Sequence, residues 1–350
     1  MNPLERVSVG ETRFTVTRLG FGGGTLGDPD EITPDTRADA TLRAAYDSGV
    51  GYFDTAPWYG NTKSEHRIGR FLRAQPRERF TLSTKVGRIY FRPNDPRAFA
   101  ASPWAARWRG GLAFDLRFDY TADGVMRSYE DSLQRMGLNR VDALAIHDLD
   151  FKHQKNEEGV RQGFRQLDGG GGFAALETLK DAGEIAAIGA GVNHTGMIPR
   201  FLDHFDMDYF LLAMPYTLLD QSALDEELPM CRNRGVGIVV GAVFASGILA
   251  TGARPGSLYA YQPAEAPILE KVRRIDSICA RYGVPLGAAA LQFPLAHPQV
   301  VSVIPGANAP AQVEQNLTNI RHPIPRDLWA ELKHESLLHP DAPTPGSDHD

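Results

Sequence analysis

Short apolar, β-branched runs alternate with amphipathic helical stretches along almost the whole chain, and this alternation restricts the folds available more than any other feature. The runs are RLGFG (18–22), VGYFDTA (50–56), RFTLSTKVG (79–87), RVDALAIHD (140–148), EIAAIGAGVN (184–193), DYFLLAMPY (208–216), GVGIVVGAVF (235–244) and VVSVIPG (300–306). Between them lie helical patterns, such as the one opening at Thr33-Pro34 with proline at the first helical position. Strand–helix alternation of this kind builds a parallel sheet, because a parallel neighbour is reached only by a crossover. Eight such units in 350 residues predict an α/β fold, a closed (β/α)8 TIM barrel, with an open doubly wound sheet as the structural rival. VSVG and RFTVT, flanking Glu11-Thr12, read as an N-terminal β-hairpin placed to cap the bottom of the barrel. The expected organisation is a single barrel over 1–338, a loop insertion over 88–117 after strand three, and a polar, frayed tail over 339–350. GGGG (169–172) reads as a flexible loop before a helix.

Composition excludes several functions. A formal net charge of −6 argues against a nucleic-acid binder. No apolar run approaches the ~20 residues of a membrane span, and the start MNPLERVSVGETRF lacks a basic then apolar leader, so a cytoplasmic location is expected. The two cysteines, Cys231 and Cys279, lack metal-knuckle spacing and are expected to be reduced thiols.

Barrels of this kind carry their chemistry at the carboxyl ends of the strands. Asp54 ends the second run with Tyr59 a short loop beyond, Lys85 ends the third, His147-Asp148 the fourth and Asn193-His194 the fifth. A tyrosine hydroxyl with an ordinary pKa near 10 becomes a useful acid or base when a neighbouring ammonium favours its phenolate, a task that falls to Lys85. A buried lysine keeps its proton when a carboxylate holds it, which gives Asp54 its role. His147 then donates to a carbonyl or hydroxyl oxygen in the same pocket. Such a set suits proton transfer at oxygen and needs a hydride carrier, hence a nicotinamide cofactor. GFGGGT (20–25) is not a Rossmann fingerprint, since Thr25 stands where its last small residue belongs. HDLDFKHQ (147–154) has metal-like spacing, but His147 is already used, and no metal site is expected.

FDTAPWYGNTKSEHRIG (53–69), STK (83–85) and AIHD (145–148), in this order and at this spacing, resemble the signatures of the aldo-keto reductases, and the likeness runs from Arg18 to about Asn319. The resemblance implies a (β/α)8 barrel, a catalytic tetrad of Asp54, Tyr59, Lys85 and His147, and an extended nicotinamide dinucleotide. It implies further that Gly22 and Thr25 line the cofactor site, Asn193 holds the carboxamide and Tyr216 stacks on the nicotinamide ring. Ser246, Gly247 and Leu249 of FASGIL (244–249) fall in the loop that wraps the pyrophosphate, and Gln315 and Asn316 align with the adenine-binding pair. Val192 and Ala213 replace a serine and a glutamine usual in the family.

Members that prefer NADP carry a lysine and, six residues on, an arginine after strand eight; here those positions are Gly306 and Gln312. No Lys or Arg occurs from Val300 through Asn319. Losing two charge-assisted hydrogen bonds to a 2′-phosphate costs about 3 kcal/mol or more, on the order of a hundredfold in affinity, so NAD is the expected cofactor. The phrases 118–150, 216–224 and 244–252 resemble the NAD-linked aldose 1-dehydrogenase branch for L-fucose, L-galactose or D-threo-aldoses, with pyridoxal 4-dehydrogenase beside it. That resemblance implies oxidation of an anomeric hydroxyl to a lactone, or of pyridoxal to 4-pyridoxolactone; a non-catalytic, cofactor-sensing regulatory subunit is a third reading. Trp58, Trp104 and Trp108 offer flat faces for a sugar or pyridine ring, or else pack a small core of the insertion.

Overall fold

The computed structural model describes residues 2–346. Its eight-stranded sheet is entirely parallel, and its strands are numbered here one to eight: Phe21–Gly22, Tyr52–Asp54, Thr81–Val86, Ala143–His147, Ala187–Val192, Tyr209–Ala213, Gly237–Gly241 and Val300–Val303. Each strand pairs with its sequence neighbour. The ring then closes, because Leu19 bridges Val303 and Gly22 bridges Gly306, both in parallel. The Gly20 and Gly22 amides donate across this seam to the Val303 and Pro305 carbonyls at 2.9 and 3.1 Å. The sheet therefore has no free edge between strands one and eight, and the doubly wound alternative is excluded.

Side-chain alternation sorts the residues of each strand into two layers. In strands two to four, Phe53, Leu82, Val86, Leu144 and Ile146 point outward to the helices and join the large core. Tyr52, Ala143 and Ala145 point inward, to a second core that also holds Tyr209, Val239 and Ile304. The same period places Asp54, Lys85 and His147 inside the ring at its carboxyl end, above that inner core. Small residues make the room. A Cβ on Gly189 would lie 2.4 Å from the Tyr209 ring, and one on Gly191 would lie 3.5 Å from His147 Cδ2.

The N-terminal hairpin, Arg6–Ser8 with Thr15–Thr17, closes the opposite end. Val9, Phe14 and Val16 enter the inner core, and the Phe14 ring meets Tyr52 edge-on at 5.6 Å. The 88–117 insertion is a second hairpin, Arg88–Phe91 with Asp115–Phe118, carrying two short helices capped by Asp95 and Ser102.

Three sequence readings are corrected. The first long helix begins at Asp35, with Pro34 at its cap rather than inside it. GGGG (169–172) is a packed turn: Gly171 has φ 78°, and a Cβ on Gly172 would meet the Tyr120 carbonyl at 2.1 Å. The tail does not fray over 339–346: Ala342 is fully buried, and the His339 amide donates to Gln221 Oε1. The remaining 347–350 lie outside the described residues.

Candidate active site

Strand two delivers Asp54 opposite Ser83 of strand three, and strand three delivers Lys85 opposite Ala145 of strand four. Lys85 Nζ donates to Asp54 Oδ2 at 2.7 Å and to the Thr55 carbonyl at 2.8 Å. Ser83 Oγ donates to the other oxygen of Asp54 at 2.7 Å, and the Tyr52 hydroxyl pairs with Ser83 at 2.9 Å. Burial raises the Asp54 carboxyl from its ordinary range, while Lys85 and Ser83 pull it back. This is an ion pair with almost no solvent contact. Such a pair is held by its hydrogen bonds more than by attraction alone.

Tyr59 lies over this pair. The Lys85 ammonium is 5.0 Å from the centre of its ring, and the His147 ring stands at 89° to it, 5.9 Å away. The four residues read as a tetrad thus meet at one place. One element of the sequence reading is corrected: the Tyr59 hydroxyl is held well above its ordinary pKa, not below it. Burial is the main cause, followed by Asp54, Tyr261 and Asp148, with Arg88 opposing. Burial lowers the His147 pKa well below the ordinary value, against the pull of Asp148, so the ring is neutral at pH 7.

Beside His147, HDLDFKHQ folds into a network. Asp148 Oδ2 lies 2.7 Å from Arg88 Nη2, and Asp148 Oδ1 accepts from Asn193 Nδ2 at 3.1 Å. Asp150 Oδ2 accepts from the same Asn193 nitrogen at 3.0 Å, and its Oδ1 meets the His153 amide and Nδ1. Asp148, Asp150 and His153 are close enough together to hold a metal ion. Every carboxylate oxygen of the cluster already faces an N–H or a cation, which is the donor set of a hydrogen-bond network.

The other candidate residues divide. Gly22 and Gly306 form the barrel seam, where a Cβ on Gly22 would meet the Ile304 carbonyl at 2.6 Å and one on Gly306 would meet Thr25 at 2.7 Å. Thr25 Oγ1 donates to the Ala307 carbonyl at 2.9 Å. Gln312 accepts from the Asn308 amide, and Gln315 donates to Asn319. Asn316 is buried beside them. Ser246 Oγ accepts from the Tyr261 amide at 3.0 Å, while the Leu249 side chain is buried as the anchor of the loop. Tyr216 is a correction: it is fully buried against Phe293 and His297, at 5.4 and 5.5 Å, so neither face is open for a nicotinamide ring. The chain turns at Met214 (φ 80°) and Tyr216 joins the outer core.

The tryptophans pack on one another. Trp58 meets Trp104 and Trp108 edge-on at 5.5 and 5.4 Å, and the Arg88 guanidinium lies 4.4 Å from the centre of the Trp58 ring. Trp108 then stands edge-on to Tyr59 at 6.1 Å. Of the three only Trp104 stays partly exposed. Sequence reasoning missed Arg88 and Tyr261. Arg88 gives no signal beyond its position three residues after Lys85, and Tyr261 comes from a loop after strand seven, with its ring 4.9 Å from the Arg107 guanidinium.

A Cβ on Gly24 would have Tyr59 Cζ at 4.0 Å as its nearest neighbour, and one on Gly247 would meet nothing within 4 Å. These glycines leave space at the phenol and at the strand-seven loop.

The sequence matches the profile of the Aldo/keto reductase family over residues 18–335. The chain belongs to this family. It is therefore an oxidoreductase, and aldo-keto reductases use nicotinamide cofactors. This aldo-keto reductase is 41% identical to a pyridoxal 4-dehydrogenase of Microbacterium luteolum, over 95% of this chain and 98% of that one. It is 37% identical to a D-threo-aldose 1-dehydrogenase of a Pseudomonas species, over 95% and 96%. An aldo-keto reductase from Bacillus halodurans in its holo form shares the fold, with TM-score 0.70 at 22% identity, covering 96% of each chain. A glycerol dehydrogenase from Gluconobacter oxydans does so with TM-score 0.70 at 18% identity, covering 98% of each. Among the described residues no helix is long and apolar enough to cross a membrane.

Proposed function

We propose that this aldo-keto reductase oxidises the hydroxyl of a cyclic hemiacetal to a lactone, with NAD as the hydride acceptor and an aldose of the L-fucose, L-galactose or D-threo type as substrate. The observation that carries the reading is the meeting of Asp54, Tyr59, Lys85 and His147 at the carboxyl end of the barrel, with Lys85 pinned 2.7 Å from Asp54. Tyr59 takes the hydroxyl proton, and neutral His147 donates to the same oxygen and orients it. The nicotinamide, when bound, supplies the acceptor for the hydride that leaves carbon. Asn193 serves its carboxamide, and the Ser246–Gly247 loop its pyrophosphate.

The NAD preference is supported by the packing around Gly306. Thr25 fills the space that a side chain there would need. A second substrate is favoured by the 41% identity to a pyridoxal 4-dehydrogenase: pyridoxal, as its internal hemiacetal, undergoes the same conversion. NADH formation measured with aldoses and with pyridoxal, each with NAD and with NADP, tests the proposal. Turnover with aldoses supports the first reading, and turnover with pyridoxal alone the second. No turnover with either refutes both.

A further inference from the structure

Asp148 occupies an unusual place. It sits at the end of strand four with φ 53°, a left-handed conformation that aspartate and asparagine adopt more readily than most side-chain-bearing residues. Its side chain is buried and touches three groups that the reaction needs or that support them. Oδ2 lies 2.7 Å from Arg88 Nη2 and 3.5 Å from His147 Nε2, and Oδ1 accepts from Asn193 Nδ2 at 3.1 Å. Arg88 in turn is fixed between the Trp58 and Phe118 rings, its guanidinium 4.4 and 4.9 Å from their centres.

Two consequences follow from elementary chemistry. A neutral imidazole carries its proton on one nitrogen and a lone pair on the other. A carboxylate oxygen 3.5 Å from Nε2 repels a lone pair there, so the proton belongs on Nε2; the two are not hydrogen-bonded, which leaves that N–H free for the substrate oxygen. The same logic sets Asn193. Its amide faces carboxylates from both Asp148 and Asp150, which can only accept, so the NH2 group turns to them and Oδ1 turns away, with no partner among the described residues.

We propose that Asp148, braced by Arg88, is the positioning residue that sets the hydrogen-bonding sense of both His147 and Asn193. It makes His147 an Nε2–H donor for the substrate oxygen, and it makes Asn193 Oδ1 an acceptor for the carboxamide N–H of the cofactor. The proposal rests on the roles given to His147 and Asn193 above. It adds that one carboxylate couples the substrate side of the site to the cofactor side.

Asparagine at 148 is the informative change, because it keeps the shape and tolerates a positive φ. It removes the negative charge that faces Arg88 and His147 and puts an NH2 where one carboxylate oxygen stood. Asp148→Asn is expected to lower kcat/KM about tenfold or more and to raise the KM for NAD, and to lower the melting temperature as well, because the buried Arg88 guanidinium loses its carboxylate. Kinetic constants within twofold of wild type overturn the proposal. The wild-type protein gives an independent reading through long-range 1H–15N correlation of its histidines, with His147 assigned by its loss in His147→Gln. The neutral Nε2–H tautomer is expected, and the Nδ1–H tautomer overturns the proposal even if Asp148→Asn fails to fold. Absence of turnover in the wild type counts against the proposed reaction, whereas the tautomer still decides the role of Asp148.

Discussion

At Tyr59, burial and charge act in opposite directions, and burial wins. The hydroxyl is held above its ordinary pKa, so the phenolate that accepts a proton becomes more abundant as pH rises. Oxidation is therefore expected to speed up steadily from pH 7 toward pH 10, while reduction, which uses the protonated form, stays nearly flat over the same range; paired pH–rate profiles check this. Tyr59→Phe should abolish turnover while leaving cofactor binding, read by quenching of protein fluorescence, largely intact. Asp54→Asn removes the carboxylate that pins a buried ammonium, and breaking such a pair costs about 3–5 kcal/mol in unfolding experiments. Gly306 and Gln312 allow a further prediction. Gln312→Arg should improve NADP affinity about tenfold through one charge-assisted bond. Gly306→Lys should not, because its Cβ would meet Thr25 at 2.7 Å. Titrating each variant with NADP separates the two.

The helix Met197–His204 follows strand five, and Glu227, from a neighbouring helix, braces its start by accepting from the Gly196 amide at 2.7 Å. Burial pushes the Glu227 carboxyl up to about 7, partly offset by the Gly196 and Ile198 amides. Unfolded, it would titrate near 4.5. Between these values the native state binds the more protons, so this contribution is fully present below pH 4.5 and is lost as pH rises through 7. Glu227→Gln keeps the acceptor and cannot ionise. It should match the wild type at pH 4.5 and exceed it at pH 8 by up to about 3 kcal/mol, read by urea unfolding at both pH values. Elements of this kind were legible by type: all eight strand-like runs hold strands, and the helix Ala122–Met136 is capped by Thr121 and Gly137. The insertion was legible only as an insertion, because its hairpin forms by pairing Arg88–Phe91 with a partner more than twenty residues away.

For the whole molecule the decisive contact is the seam between strands one and eight. Its glycines let two backbones approach where a side chain has no space. Gly22→Ala should weaken closure by about 1–3 kcal/mol, visible as a lower melting temperature, since its Cβ would meet the Ile304 carbonyl at 2.6 Å. Closure also explains why four residues spread over 94 positions, from Asp54 to His147, share one pocket. Parallel strands in register carry their last inward-facing residues to the same end of the ring.

The sequence alone determined the fold class and the strand-end positions of Asp54, Lys85 and His147, because a period of two and repeated strand ends are local properties that survive in one dimension. Ring closure, the fully buried Tyr216, the mutual packing of Trp58 with Trp104 and Trp108, and the raised pKa of Tyr59 were decided by tertiary structure alone. Each depends on which distant groups fill the surrounding space, and so does the Arg88–Asp148–Asn193 network: no spacing along the chain shows that a carboxylate at the end of strand four faces a cation from the insertion and an amide from strand five.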